Sequence, residues 1–141
     1  MHLFKSGARG THEKDVFGKT MAPMAATLAD AAAIDNVVAY IRTLPDTPAP
    51  PTMKSGAANG QDLYVTCGAC HGPAGQGIQA TNAPRLKGMS DWYMVTQLNN
   101  FRQGIRGAHA LDMYGPQMAA MAASLIDERA VNDLVAYIKT F

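Results

Sequence analysis

Apolar residues in the last fifteen positions of the chain recur at helical spacing. Val131, Leu134, Val135 and Ile138 mark one stripe, and Asp127 stands where a helix would be capped. The same spacing returns at Ile34, Val37, Val38 and Ile41. Residues 57–66 read as a short helix with Gly60 and Tyr64 on one face. Residues 90–102 read as another, with Ser90 as its cap and Asp91 in its first turn. Between them, residues 72–88 (GPAGQGIQATNAPRLKG) are too rich in glycine and proline for regular structure, and residues 104–123 read as a second loop-dominated stretch. Strand-like alternation is nearly missing. The pattern predicts an all-α fold with two long loops.

The two matching stripes belong to a longer repeat. Residues 4–44 lie without a gap over residues 101–141, an offset of 97, and 20 of the 41 positions are identical. About sixty residues precede the second copy within its own unit, but only three precede the first. Residues 1–44 therefore read as the C-terminal half of a truncated domain, 45–55 as a stiff, solvated, proline-rich linker, and 56–141 as a complete domain. Met1 falls opposite Leu98, in the middle of a helix, so the chain is expected to be a fragment of a longer protein. The stripe Ile34, Val37, Val38 and Ile41 then lacks its natural partners. It is expected to pack on the complete domain or on another chain, through self-association of residues 30–44, or else to be poorly ordered.

Charge narrows the function classes. Twelve basic residues face eleven acidic ones, with no basic tract or acidic tail, which excludes nucleic acid and an anionic membrane as evident partners. No apolar run approaches a bilayer span, so any membrane tether would lie in sequence outside this chain. The first ten residues contain no signal-peptide h-region.

The chemistry sits in CGACH, residues 67–71, which holds the only two cysteines. C-x-x-C-H is the attachment signal for c-type haem. Thiols three positions apart can reach two vinyl groups on one side of a porphyrin, and the adjacent His71 can then serve the iron as proximal ligand. A thioredoxin-like pair would need a βαβ context that is missing. Half a zinc site would need a second Cys or His pair, and two structural thiols would leave the histidine unexplained. For a sixth ligand the residues offer Met113, Met118, Met121 and His109. Met118, Met121 and His109 recur in the first copy as Met21, Met24 and His12, so the repeat does not choose among them.

The order GQDLYVTCGACHG, NAPRLKG, YMVTQLNNFRQGIRG, MAAMAASL and LVAYI resembles class I cytochrome c, in particular the diheme cytochrome c4 type and the tandem cytochrome c domains fused to respiratory oxidases. The resemblance covers residues 57–141 and, through the repeat, 4–44. It implies thioethers at Cys67 and Cys70, a covalent haem c with iron held by His71 and Met118, and a Pro84 carbonyl that orients His71. It also implies a crossing of Gly60 and Tyr64 with Tyr137. Arg85, Trp92 and Tyr93 become candidate neighbours of the haem propionates, with a structural role as the alternative for each. The implied function is a periplasmic electron carrier, not an enzyme, between an upstream quinol-oxidising complex or dehydrogenase and a downstream oxidase or reductase. The rival readings are a cytochrome c domain of a larger oxidase or dehydrogenase, and a haem-based ligand binder.

Overall fold

Seven α-helices follow one another in the computed structural model, which describes residues 1–53 and 59–141. They are α1 (His2–Lys5), α2 (Val16–Ala26), α3 (Ala31–Thr43), α4 (Gly60–His71), α5 (Asp91–Arg102), α6 (Gly115–Ala122) and α7 (Glu128–Ile138). A 3-10 turn at Gln79–Thr81 interrupts the long loop after α4. Among the described residues there is no strand, only an isolated bridge between Ile78 and Ala83.

The sequence repeat is a structural repeat at its helix starts. Asp15 accepts from Gly18 N at 2.9 Å, and its counterpart Asp112 accepts from Gly115 N at 2.8 Å. Asp30 accepts from Ala33 N and Asp127 from Ala130 N, both at 2.8 Å. Each such cap satisfies an otherwise orphaned helix N–H and contributes about 1 kcal/mol.

The core belongs to the second copy. Val131, Leu134, Val135 and Ile138 of α7 are buried with Tyr64 of α4, with Met94, Leu98 and Phe101 of α5, and with Ala122 and Leu125. Helix α7 crosses α4 at Gly60, where an added Cβ would lie 2.5 Å from Tyr137 Cβ. The rings of Tyr64 and Tyr137 stand 5.7 Å apart, and Phe141 closes edge-on over Tyr64 at 4.9 Å.

Several expectations are corrected. Residues 57 and 58, the expected start of the first helix, lie outside the described residues. The helix runs past Thr66 to His71, so CGACH lies in its last two turns. Residues 115–122, expected as loop, form α6. Asp112 caps it, Pro116 fits its first turn, and MAAMAA supplies strong helix formers. Ser90 holds the cap position of α5 but makes no side-chain cap bond.

The segment expected as a solvated linker keeps most of its residues exposed but is tied to the second copy, although residues 54 and 55 lie outside the described residues. Ala49 N bonds Gly88 O at 3.0 Å, Asp46 pairs with Arg85 at 2.6 Å, and Lys139 Nζ donates to Ala49 O and Met89 O at 2.5 and 2.9 Å. Asp91 accepts from Thr52 N, Thr52 Oγ1 and Met53 N at 2.5–2.9 Å.

The first copy meets the second at a polar and aromatic seam. Gln97 Oε1 accepts from Arg9 Nη2 at 3.2 Å and from Arg106 Nη1 at 2.7 Å. Each arginine lies over its own phenylalanine, Arg9 on Phe4 and Arg106 on Phe101, and the Phe17 ring lies 5.8 Å from Trp92. Of the places expected for the α3 stripe, the complete repeat is not the one it covers. In that stripe only Ile34 is buried; Val37 is half-buried, and Val38 and Ile41 are exposed. The seam engages loops and α5 rather than the stripe, which leaves that face open.

Candidate haem-binding site

The last two turns of α4 carry Cys67, Cys70 and His71. Helical spacing puts the two thiols one turn apart, with the imidazole one residue further round. Both cysteines are free thiols. Cys67 is half-buried against the core, and Cys70 is exposed. Burial pushes the Cys67 thiol up from its ordinary pKa, and the neighbouring Cys70 adds to the rise.

Gly72 ends the helix at φ +84°, a value that favours glycine, and turns the chain back under the histidine. Tyr64 Oη donates to Gly72 O at 2.7 Å, and Gly77 N donates to His71 O at 2.8 Å. Gly77 lies flat against the returning segment: a Cβ there would meet Arg85 N at 2.7 Å and Pro84 C at 3.0 Å. That close approach brings the Pro84 carbonyl to 2.8 Å from His71 Nδ1. A carbonyl can only accept, so Nδ1 carries the proton and Nε2 keeps its lone pair for a metal. His71 is 7% exposed.

The four candidates for a sixth ligand are placed differently. Met118 lies on α6, half-buried against the core cluster. Met121 and Met113 are exposed. His109 is exposed and its Nδ1 accepts from Leu111 N at 3.2 Å. Arg85 is engaged by Asp46, and Trp92 packs on Phe17 and, edge-on, on the half-buried Tyr93. The structure thus gathers Cys67, Cys70, His71 and Pro84 into one helix-and-loop unit and sends Arg85 and Trp92 into other contacts.

Sequence reading missed Gln97, Arg9 and Arg106. The signal available was F-x-x-G-x-R-G, identical in both copies. The Nε atoms of Arg9 and Arg106 are buried without a protein partner among the described residues. Burial, and then the charge of Arg9, pushes Arg106 down to about 10, so it stays charged at neutral pH.

Among the described residues no group of three or more His, Cys, Asp or Glu side chains could hold a bare metal ion, which removes the zinc alternative there. Two cavities lie away from CGACH. One of about 160 Å³ is under the docked linker by Met53, Asp91 and Lys139, and one of about 550 Å³ lies between Leu3, Asp30 and Ile34 of the first copy and Leu111 of the second. Two free thiols one helical turn apart, a buried imidazole with Nε2 free and a half-buried thioether make a donor set that fits haem c.

The cytochrome c family model matches residues 57–141. The chain belongs to the cytochrome c family. Its cofactor is therefore haem c, with iron, covalently attached, and its function is electron transfer. The chain is 35% identical over 130 residues to a thiosulfate dehydrogenase electron acceptor of Stutzerimonas stutzeri, which covers 84% of this chain and 56% of that protein. It thus spans little more than half of that relative. It is 41% identical over 83 residues to cytochrome c-554(548) of Halomonas halodenitrificans, across 57% of this chain and 90% of that one. A solved structure of Acidithiobacillus ferrooxidans cytochrome c4 superposes with a TM-score of 0.73 at 25% identity, covering 99% of this chain and 80% of the other. The cytochrome c fold expected from the sequence is the one observed.

Proposed function

We propose that this cytochrome c is an exported, periplasmic electron carrier whose iron is held by His71 and Met118. It would pass electrons from a dehydrogenase or quinol-oxidising complex to an oxidase or reductase. The observation that carries the reading is the 2.8 Å contact from His71 Nδ1 to the Pro84 carbonyl, which fixes the ring and its tautomer with Nε2 free. The core-facing Met118 supports methionine as the second ligand over the exposed Met121, Met113 and His109. The similarity to a protein named as an electron acceptor of thiosulfate dehydrogenase supports a dehydrogenase as the upstream class. Attachment of haem c outside the cytoplasm supports export. The repeat supports residues 1–44 as half of a second domain and 56–141 as the complete one.

Haem bound here supplies reversible one-electron chemistry at iron. The chain's own part is to hold the imidazole still through Pro84 and Gly77 and to keep water from His71. Presenting a thioether from α6, rather than a second imidazole, favours a higher potential. Two saturating ligands leave no open position for substrate, which favours a carrier over a ligand binder.

The test is an optical spectrum of the haem-loaded protein, oxidised and then reduced. His71/Met118 ligation predicts sharp α and β bands on reduction. It also predicts the weak long-wavelength band of methionine on ferric haem, lost in Met118→Ala and kept in Met121→Ala. A band that survives Met118→Ala would overturn the ligand assignment.

A further inference from the structure

Two sets of bonds hold the segment that carries the Pro84 carbonyl. One comes from the turn after CGACH, where Leu86 N and Lys87 N both donate to Gly75 O, at 2.8 and 2.9 Å. That turn is built on Gly72, Gly75 and Gly77 at φ +84°, +62° and +80°, and glycine is the least restricted of backbones. Pro84 is itself exposed, so packing around its ring does not fix its carbonyl. A soft turn and an exposed proline make a weak mount for the one acceptor that orients His71.

The second set comes from the linker between the copies. Asp46 pairs at 2.6 Å with Arg85, the residue directly after Pro84, and Ala49 N donates to Gly88 O at 3.0 Å. Thr52 Oγ1 donates to Asp91 Oδ1 at 2.7 Å, and Met53 N donates to Asp91 Oδ2 at 2.9 Å. The bonds therefore land at Arg85, Gly88 and Asp91, one every three residues along the segment that follows Pro84. Lys139 Nζ then ties the two together by donating to Ala49 O in the linker and to Met89 O in the segment. Its counterpart in the first copy, Arg42, is exposed, whereas Lys139 is half-buried by this contact. An ion pair as exposed as Asp46 with Arg85 adds little to stability. What the set supplies is position.

We propose that residues 46–53 are a strap that holds the Pro84 carbonyl against His71 Nδ1 and so helps to set the reduction potential of the iron. Asp46, Ala49 and Thr52 are positioning residues, acting through Arg85, Gly88 and Asp91 rather than on His71. The proposal rests on the reading of His71 as an iron ligand. An imidazole that donates its Nδ1 proton to a well-placed carbonyl is the more basic ligand, and a more basic ligand favours ferric iron. Loosening the strap therefore raises the potential. The strap leaves the first copy at Leu44, the C-cap of α3, so the segment that joins the copies also steadies the acceptor of His71.

The test uses two charge-neutral variants of the haem-loaded full chain, because a new charge near the iron would move the potential by itself. Ala49→Pro removes the N–H that Gly88 O accepts, in a stretch already rich in proline. Thr52→Val keeps the side-chain shape, removes the hydroxyl bond to Asp91 and leaves the backbone untouched. Protease cleavage within residues 45–53, exchange of the His71 Nδ1 proton by NMR of the reduced protein, and the midpoint potential are read on each. Cleavage and proton exchange are expected to quicken about threefold or more, as local opening becomes easier. The reduced-to-oxidised ratio at a fixed poise is expected to rise about twofold or more, about 18 mV at about 59 mV per tenfold. Faster cleavage with unchanged proton exchange or an unchanged midpoint would make the linker merely structural and overturn the proposal. Unchanged cleavage in both variants would show that these bonds do not hold the linker, and would overturn it too. Optical spectra of the same samples keep the readings apart: a missing methionine band in the unmodified protein counts against Met118, whereas the Nδ1 proton still reports on His71.

Discussion

A Cβ on Gly60 would sit 2.2 Å from the carbonyl oxygen of Asp133. The contact is backbone on backbone, so no side-chain rotation relieves it, and it sets how closely α4 and α7 cross. Gly60→Ala should therefore destabilise. Alanine gains up to about 1 kcal/mol of helix propensity, but forcing apart a packed crossing costs about 1–3 kcal/mol. The midpoint of denaturant unfolding should fall, with little change in slope. An unchanged or raised midpoint would mean that the helices slide apart freely.

The repeat allows one residue type to be compared in two environments. Ile138 is 3% exposed in the core, and its counterpart Ile41 on α3 is 50% exposed. Ile138→Ala should cost about 2–5 kcal/mol, the usual result of emptying a packed site. Ile41→Ala should stay within about 0.5 kcal/mol. Thermal unfolding of the two variants side by side checks both, and equal losses would show that α3 is covered in solution.

What was legible in the sequence follows the range of the forces involved. The stripe of α7 was readable because burial of Val131, Leu134, Val135 and Ile138 is a periodic demand on one helix. CGACH was readable because attachment chemistry fixes its spacing. Helix α6 was not, because its glycine and proline mark a loop unless Asp112 is seen to cap Gly115 and Pro116 to sit in the first turn. The docked linker was not readable either: its bonds run to Asp91, Arg85 and Lys139, roughly forty to ninety positions away, and nothing local in PDTPAPPT announces them. Gln97 gave no signal, because nothing local separates it from Asn100 and the other polar residues of α5, and its partner Arg9 lies 88 positions away.

Asp91 ties that linker to the start of α5, and its titration gives a signed pH prediction. Burial at 1% exposure would raise its pKa, but hydrogen bonds from Thr52 Oγ1, Thr52 N, Met53 N and Trp92 N outweigh burial and hold the carboxyl well below the usual carboxylate range. A carboxylate depressed by folding contributes stability above its unfolded pKa of about 4 and loses that contribution as pH falls towards the folded value. Thermal stability should thus fall as pH drops below about 4, and Asp91→Asn should be less stable at neutral pH with a flatter acid limb. Proteolysis near residues 45–53 should quicken in that variant. An acid limb unchanged by Asp91→Asn would assign the acid sensitivity to other carboxylates.

Gln97 joins the two copies through one oxygen that serves two cations. Arg9 and Arg106 are close enough for their charges to oppose each other, and each guanidinium depends on Gln97 Oε1 for an acceptor. Removing that oxygen leaves two partly buried guanidinium groups facing each other without it. A buried polar group left unsatisfied costs about 1–3 kcal/mol, and more when charged. Gln97→Leu keeps the volume and removes the acceptor, so it should lower stability by about 2 kcal/mol or more and expose residues 1–44 to protease. Arg9→Leu made on top of it should restore part of the loss, because it removes one of the opposed cations. That non-additivity, read from a double-mutant cycle in thermal unfolding, identifies the shared acceptor as the link between the copies. Simple addition of the two effects would instead mean that Phe17 on Trp92 holds the seam and the arginines are bystanders.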